Sequence, residues 1–258
     1  MRKLTLILTT LVIGLYSCAR DGEEEIVGEL ILNDLTANQD GDGVVISWTW
    51  NGSEQLDSVV IYLNNSRVDK VTTGTTYTHI TTQTGTYKLI GYAKGHSHES
   101  NTKSTTPVSS SVTVYERSSP AGPSGLVVGS DYKFVTKSLN DADAPQKVYY
   151  YYTDCVPGSS SGPVYYLSSP KDDACDPDEL IGFTIVSYIK EETSFNGVVS
   201  DPGTSTYAQL VSNKKYALKF KIGEKNYYAL ATTGGSVGSS VTIDFKVQTI
   251  PNLRIIGQ

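Results

Sequence analysis

The side chains of this chain whose types and spacing could do chemistry are three histidines, three cysteines and one dense run of carboxylates. His96 and His98 flank Ser97, a spacing that can bring two imidazoles to one metal ion, and Glu99 is the nearest further ligand. Histidines spaced this way on a loop more often face solvent, so no metal is assigned to them. Asp172, Asp173, Asp176, Asp178 and Glu179 place five carboxylates in the eight residues 172–179. Such an oxygen-rich run can hold calcium, a hard cation, and a solvated loop is the competing reading. No cofactor is expected, with calcium at Asp172, Asp173, Asp176 and Asp178 left as the open alternative. The remaining histidine, His79, also lies in the N-terminal half, so the C-terminal half has no imidazole to activate a serine or cysteine nucleophile. Paired carboxylates for glycoside hydrolysis are defined by a separation in space that no sequence spacing supplies. The expectation is a protein that is not an enzyme, with no catalytic residue assigned.

Cys18 differs from the other two cysteines in what precedes it. Met1-Arg2-Lys3 is a short basic start and Leu4 to Tyr16 is an apolar stretch, shorter than the roughly 20 residues needed to span a bilayer and typical of a signal-peptide core. It ends in Leu15-Tyr16-Ser17-Cys18, which resembles the bacterial lipobox. That resemblance implies removal of residues 1–17, diacylation of Cys18 and a membrane partner reached through an N-terminal lipid. Two acyl chains hold a protein where one binds only marginally. Residues 18–28 then read as a lipidated acidic tether, with Ala19-Arg20-Asp21-Gly22-Glu23-Glu24-Glu25 too poor in apolar side chains to fold. Acidic residues so close to the cysteine resemble the surface-export signal of lipoproteins from Gram-negative glycan-foraging bacteria, which implies an outer-membrane location facing the exterior. A solvated spacer is the alternative.

Removing residues 1–17 takes away two basic residues and no acidic one, moving the net charge from −6 to −8. An acidic surface offers no electrostatic attraction to nucleic acid, which is excluded as a partner. With Cys18 committed to lipid, Cys155 and Cys175 are left as a pair in an oxidising compartment, where a disulfide is the expected state. Closing that loop contributes about 3 kcal/mol in the chain-entropy account. Zinc needs about four ligands, and this half supplies no histidine toward them.

The elements that must carry these residues are β-strands, expected from period-two alternation between turn residues. In the module spanning 29–116 they are Leu30 to Leu35, Val44 to Trp50, Ser58 to Leu63, Arg67 to Thr72, Thr75 to Thr81, Tyr87 to Lys94 and Val108 to Tyr115. Ile46, Trp48 and Trp50 share one face of the second. Gly95 to Thr105, with His96 and His98, is expected as a loop. Asn38-x-Asp40-x-Asp42-Gly43 resembles the opening of an EF-hand loop, but its twelfth position is Thr49, so a turn between strands is expected. Leu35-Thr36-Ala37, Val45-Ile46-Ser47-Trp48, Ile80 and Thr86 to Ala93, with Tyr87 placed as a corner tyrosine, together resemble a fibronectin type III domain over nearly the whole module. The resemblance implies a sandwich fold and nothing about a ligand.

Residues 117–125 are rich in Pro, Gly and Ser and read as a linker. The module at 126–258 shows a hairpin, Tyr216 to Ile222 returning through Tyr227 to Ala231, and a last strand with Val241, Ile243, Phe245 and Val247 on one face. Leu180 to Lys190 reads as a further long strand, with a short helix at Asp178 to Ile181 as the alternative. The fold class expected is therefore all-β, an N-terminal fibronectin type III-like sandwich followed by a second β-sandwich or jelly-roll-like module.

Tyrosine is dense in this second module. Tyr149-Tyr150-Tyr151-Tyr152, Tyr165-Tyr166 and Tyr227-Tyr228 place rings on both faces of their strands, and a tyrosine offers a flat apolar ring with a hydroxyl that suits a sugar. Alternation assigns Val148, Tyr150 and Tyr152 to the core and exposes Tyr149 and Tyr151, so Tyr149, Tyr151, Tyr165 and Tyr166 are the candidate ligand-binding residues. The competing reading is that tyrosine simply packs well in sheets. The functional expectation is a cell-surface lipoprotein acting as a non-catalytic binding module for glycans. The alternative is an adhesion or scaffold lipoprotein, so the partner is a polysaccharide or a surface protein.

Overall fold

The computed structural model describes residues 28–154, 164–171 and 180–257. Cys18 and tether residues 19–27, Cys155, Cys175, Asp172, Asp173, Asp176 and Asp178 lie outside the described residues. Apart from a short 3-10 turn at Ala144–Gln146, the regular structure is all β, in antiparallel sheets that stack as sandwiches.

The N-terminal sandwich has two sheets. One joins β1 (Leu30–Leu32), β2 (Thr36–Ala37), β3 (Gly43–Trp50) and β6 (Thr76–Ile80), with β3 at its centre. The other joins β4 (Ser58–Leu63), β5 (Ser66–Val71), β7 (Thr86–Ala93), β8 (His96–Glu99) and β9 (Lys103–Ser104), in the order β5-β4-β7 with β8 and β9 both on β7. The alternating pattern decides which side chains meet. Ile46 and Trp48 of β3, Val59 and Ile61 of β4, and Tyr87 and Leu89 of β7 are buried together between the sheets. The Tyr87 hydroxyl lies 2.8 Å from His79 Nδ1, and burial holds the His79 pKa below its ordinary value. The Asn38–Gly43 segment is a turn, closed by Asn38 Nδ2 donating to Asp42 Oδ1 and Gly43 N–H donating to Asn38 Oδ1.

Two sequence expectations need correction here. Gly95 to Thr105 is not a loop, because β8 and β9 pair with β7 and supply the last edge of this sandwich. His-Ser-His-Glu has no apolar alternation to announce a strand, and its ladder is a main-chain property. The strand expected to close the sandwich, β10 (Val108–Tyr115), instead pairs along all eight of its residues with β19 (Ser240–Val247) in the other module. The division between sheets thus falls near Thr105, ahead of the Pro/Gly/Ser segment. That segment folds back on β10, with Tyr115 N–H donating to Pro123 O.

The C-terminal sandwich packs two five-stranded sheets. The first runs β10-β19-β18-β17-β15, where β15 is Tyr188–Glu191, β17 is Lys215–Ile222 and β18 is Lys225–Val237. The second runs β12-β11-β13-β14-β16, where β11 is Gly125–Val128, β12 Phe134–Lys137, β13 Tyr150–Thr153, β14 Tyr166–Ser168 and β16 Tyr207–Gln209. Leu180 to Lys190 is strand only from Tyr188 onward. The hairpin β17–β18 and the alternation of β19 are as expected, with Val241, Ile243, Phe245 and Val247 all in the core. Phe134 anchors that core, its ring 4.3 Å from Phe245 and 5.5 Å from Phe220.

After β19 the chain returns to the first sandwich. Ile250, Leu253 and Ile255 join the core of Ile46, Trp48 and Tyr87. Gln248, fully buried, fixes the crossing, since its Nε2 donates to Thr105 O (3.1 Å) and Ile255 O (2.6 Å) while Oε1 accepts from Ile250 N–H (3.1 Å). Both amide hydrogens and the carbonyl are satisfied, as a buried amide requires. Arg254 donates through Nε and Nη2 to Asp40 O and through Nη1 to Val199 O, tying the first module's turn to the second module's loop. Two glycines allow the close approach. Gly41 (φ +73) and Gly197 (φ +107) adopt backbone that side chains disfavour, and a Cβ at either would sit 2.5 Å from the carbonyl oxygen of Asn252 or Thr82 respectively.

Candidate functional site

The tyrosines proposed as an exposed platform are not one. Tyr151 is fully buried, packed with Ala144 and Val148 under Leu180 and Phe183. Tyr149 is half-buried, its ring 5.3 Å from that of Phe220. Tyr150 and Tyr152 sit in the main core as expected, but Val148 goes to the Tyr151 side. The reason is that both faces of this sheet are covered, one by the opposing sheet and the other by the 3-10 turn and the 180–183 segment, so alternation selects between two interiors. Tyr165 is half-buried and stacks on Tyr152 at 5.5 Å, and half-buried Tyr166 meets Tyr207 edge-on at 6.0 Å.

The best-formed apolar cleft lies in the first sandwich, at the end where β3 finishes. It encloses about 340 Å³. Its floor is Trp48 and Val59, both core residues, and Trp50, Leu56 and Val71 complete the apolar lining. The connection from β5 to β6, Thr72-Thr73-Gly74-Thr75, forms the rim with Gln55 and Ser58. Trp48 N–H donating to Thr75 O holds that rim against β3.

Trp50 is fixed before any ligand arrives. The Gly28 and Gly52 main chains lie so close to its indole that a Cβ would fall 2.1 Å and 2.0 Å from ring carbons. Its Nε1–H donates to Glu54 O at 2.6 Å, and the His98 ring meets it edge-on at 4.7 Å. The indole is thus held by contacts outside the cleft. No ionisable side chain among the described residues lines the cleft, although the chain as a whole is acidic. Aromatic floor, threonine hydroxyls and one amide suit a neutral amphipathic ligand and give an anionic one nothing to pair with.

The sequence reading placed Trp50 beside Trp48 on a core face and missed this cleft. The available signal was two tryptophans spaced two apart at a strand end, the only two in the chain, with an uncharged Thr-Thr-Gly-Thr connection. A second, more polar cleft of about 660 Å³ lies at the module junction between Asp42, Thr81 to Gln83, Glu192 and Arg254. Glu192 is committed there to the Ser200 N–H at 2.7 Å, and Arg254 to main-chain carbonyls. Among the described residues no group of three or more His, Cys, Asp or Glu side chains is placed to hold a metal ion. Comparison with known proteins assigns no family, since no family model matches the chain and no curated protein matches it.

Proposed function

We propose that this chain is a cell-surface lipoprotein, anchored through Cys18 in the outer membrane, that binds a neutral glycan without catalysis. The observation carrying this reading is the uncharged cleft of Trp48 and Trp50. An indole presents an apolar face to the axial C–H groups of a sugar ring, and the rim hydroxyls and Gln55 complement its hydroxyls. A volume of about 340 Å³ falls at the lower end of ligand pockets and suits one or two sugar rings of a longer chain. The supporting module is read as fibronectin type III-like. What supports that is the division of its successive strands, β1, β3 and β6 in one sheet and β4, β5, β7 and β8 in the other, with Trp48 of β3 buried between them. Tyr87 begins β7 as a corner tyrosine does, although here its hydroxyl meets the His79 ring. Cys155 and Cys175 are retained in this proposal as a disulfide.

A glycan array probed with residues 19–258 tests the ligand class. We expect a neutral glycan to bind, and to bind at least tenfold more weakly, about 1.4 kcal/mol, to Trp50→Ala and to Thr73→Lys. Thr73 is exposed on the rim, so the lysine reports on the cleft even if the tryptophan variant is unstable. Binding confined to anionic glycans, or neutral binding that both variants leave unchanged, rejects the site. For the anchor, Cys18→Ala should abolish incorporation of labelled palmitate in cells, and label persisting in that variant removes the lipoprotein assignment.

A further inference from the structure

A different feature of the N-terminal sandwich points to a protein ligand, independently of the glycan reading. β6 is an edge strand, pairing with β3 on one side only. The register settles which of its main-chain groups face outward. Trp48 N–H donates to Thr75 O, and the same register continues as Ile46 opposite Tyr77 and Val44 opposite His79. In an antiparallel ladder hydrogen-bonded pairs alternate with non-bonded ones, so residues 75, 77 and 79 bond to β3 while Thr76, Thr78 and Ile80 turn both N–H and C=O to the free edge. Among the described residues, none of those outward groups has a hydrogen-bond partner. Tyr77 and His79 point into the sandwich, and Thr76, Thr78 and Ile80 are exposed, Ile80 to 63%.

Several other sheet edges among the described residues are guarded in the usual ways, and the uncharged β2 and β16 are only two and three residues long. β5 carries Arg67, Asp69 and Lys70, β12 carries Lys137 bound to Asp141 and Asp143, and β9 carries Lys103 bound to Asp34. The β1 edge is capped by the Asn101 side chain, which bonds both the N–H and the C=O of Leu32. β10 lies against β12, whose Phe134 N–H donates to Ser110 Oγ. Thr76–Ile80 has four strand-favouring residues and one histidine, with neither Lys, Asp, Glu nor Pro, the composition that leaves an edge open to another strand. Donors and acceptors recurring about every 6.8 Å match one ligand chemistry, an extended polypeptide main chain. At the Ile80 end the edge opens into the junction cleft, which gives an added strand room to continue past Gln83.

We propose that β6 is a strand-addition site, at which an extended segment of a partner protein pairs with the outward groups of Thr76, Thr78 and Ile80. Specificity then comes from the partner's side chains against those of Thr76, Thr78 and Ile80, and affinity from the new main-chain bonds.

The test uses a phage-displayed library of random nine-residue peptides selected on residues 19–258. Thr78→Pro deletes an outward N–H without removing a bond to β3, which an edge strand tolerates. Ile80→Lys places a charge on the edge at a residue already exposed, and keeps the test available if the proline variant is unstable. Enriched peptides should bind at least tenfold more weakly to both variants, and synthetic copies N-methylated at alternate amides should lose binding in one of the two registers. Absence of enriched peptides, peptides indifferent to both variants, or peptides indifferent to N-methylation in either register overturns the proposal. So does a dimer in sedimentation equilibrium that Thr78→Pro dissolves, because the edge would then belong to a second copy. Glycan binding that survives Thr78→Pro separates this outcome from that of the tryptophan cleft.

Discussion

Leu253→Ala should destabilise the N-terminal sandwich by about 2–5 kcal/mol, the range for a buried leucine truncated in a packed core. Leu253 stands some 150 residues beyond the last strand of that sandwich, yet it is fully buried among Leu30, Ile46, Trp48 and Tyr87. Both tryptophans of the chain lie in this sandwich, so their fluorescence during urea unfolding reports on it directly. The Leu253→Ala midpoint should fall, and the far-ultraviolet circular dichroism transition should move with it. The second expectation follows from the crossed connections, since β10 lies in the C-terminal sheet and the tail lies in the N-terminal core. Tryptophan transitions that superimpose for Leu253→Ala and wild type would show that the tail does not complete this core. Separate fluorescence and dichroism transitions in the wild-type chain would show that the modules do not unfold together.

Neighbouring tyrosines in β13 should respond with opposite signs to loss of one hydroxyl. The Tyr150 hydroxyl lies 2.9 Å from Tyr188 O and 3.1 Å from Lys219 O, donating between two strands of the opposing sheet, and burial raises its pKa so that it stays protonated. Tyr150→Phe removes a further donor from two carbonyls that keep their ladder partners and should cost about 0.5–1.5 kcal/mol, while Tyr150→Ala should cost about 3–5 kcal/mol. The Tyr151 hydroxyl is buried with no hydrogen-bond partner among the described residues. Tyr151→Phe removes that unsatisfied group and should stabilise by about 1–3 kcal/mol. At roughly 2–4 °C per kcal/mol for a protein of this size, thermal melts resolve the two directions. A lower melting temperature for Tyr151→Phe would mean that the hydroxyl does have a partner. An unchanged one for Tyr150→Phe would remove its bridging role.

The sequence by itself determined the strand content and much of the local pairing. β3, β7 and β19 are each readable from alternation because each buries one face and leaves the other partly open to solvent, as in Val241-Thr242-Ile243-Asp244-Phe245. The turn at Asn38–Gly43 and the β17–β18 hairpin are equally local, set by a few residues and their own backbone. Tertiary structure alone decided where β10 and the tail belong. Val108–Tyr115 is an ordinary half-buried strand whose pattern fits either sandwich, and only its long antiparallel register with β19, 125 or more residues away, assigns it to the second. Ile250, Leu253 and Ile255 follow no strand period, since they enter the N-terminal core from an irregular segment held by Gln248 and Arg254.

The same limit governed the candidate sites. Period two states that Tyr151 and Tyr150 face opposite ways, but it carries no information on whether the second face meets water or another layer. Here Ala144, Leu180 and Phe183 cover it and make the Tyr151 side a second interior, while Tyr149 packs against Phe220 of the main core. The cleft at Trp48 and Trp50 and the open edge of β6 depend in turn on what the chain leaves uncovered. That is a property of three-dimensional packing, to which residues far apart in sequence contribute.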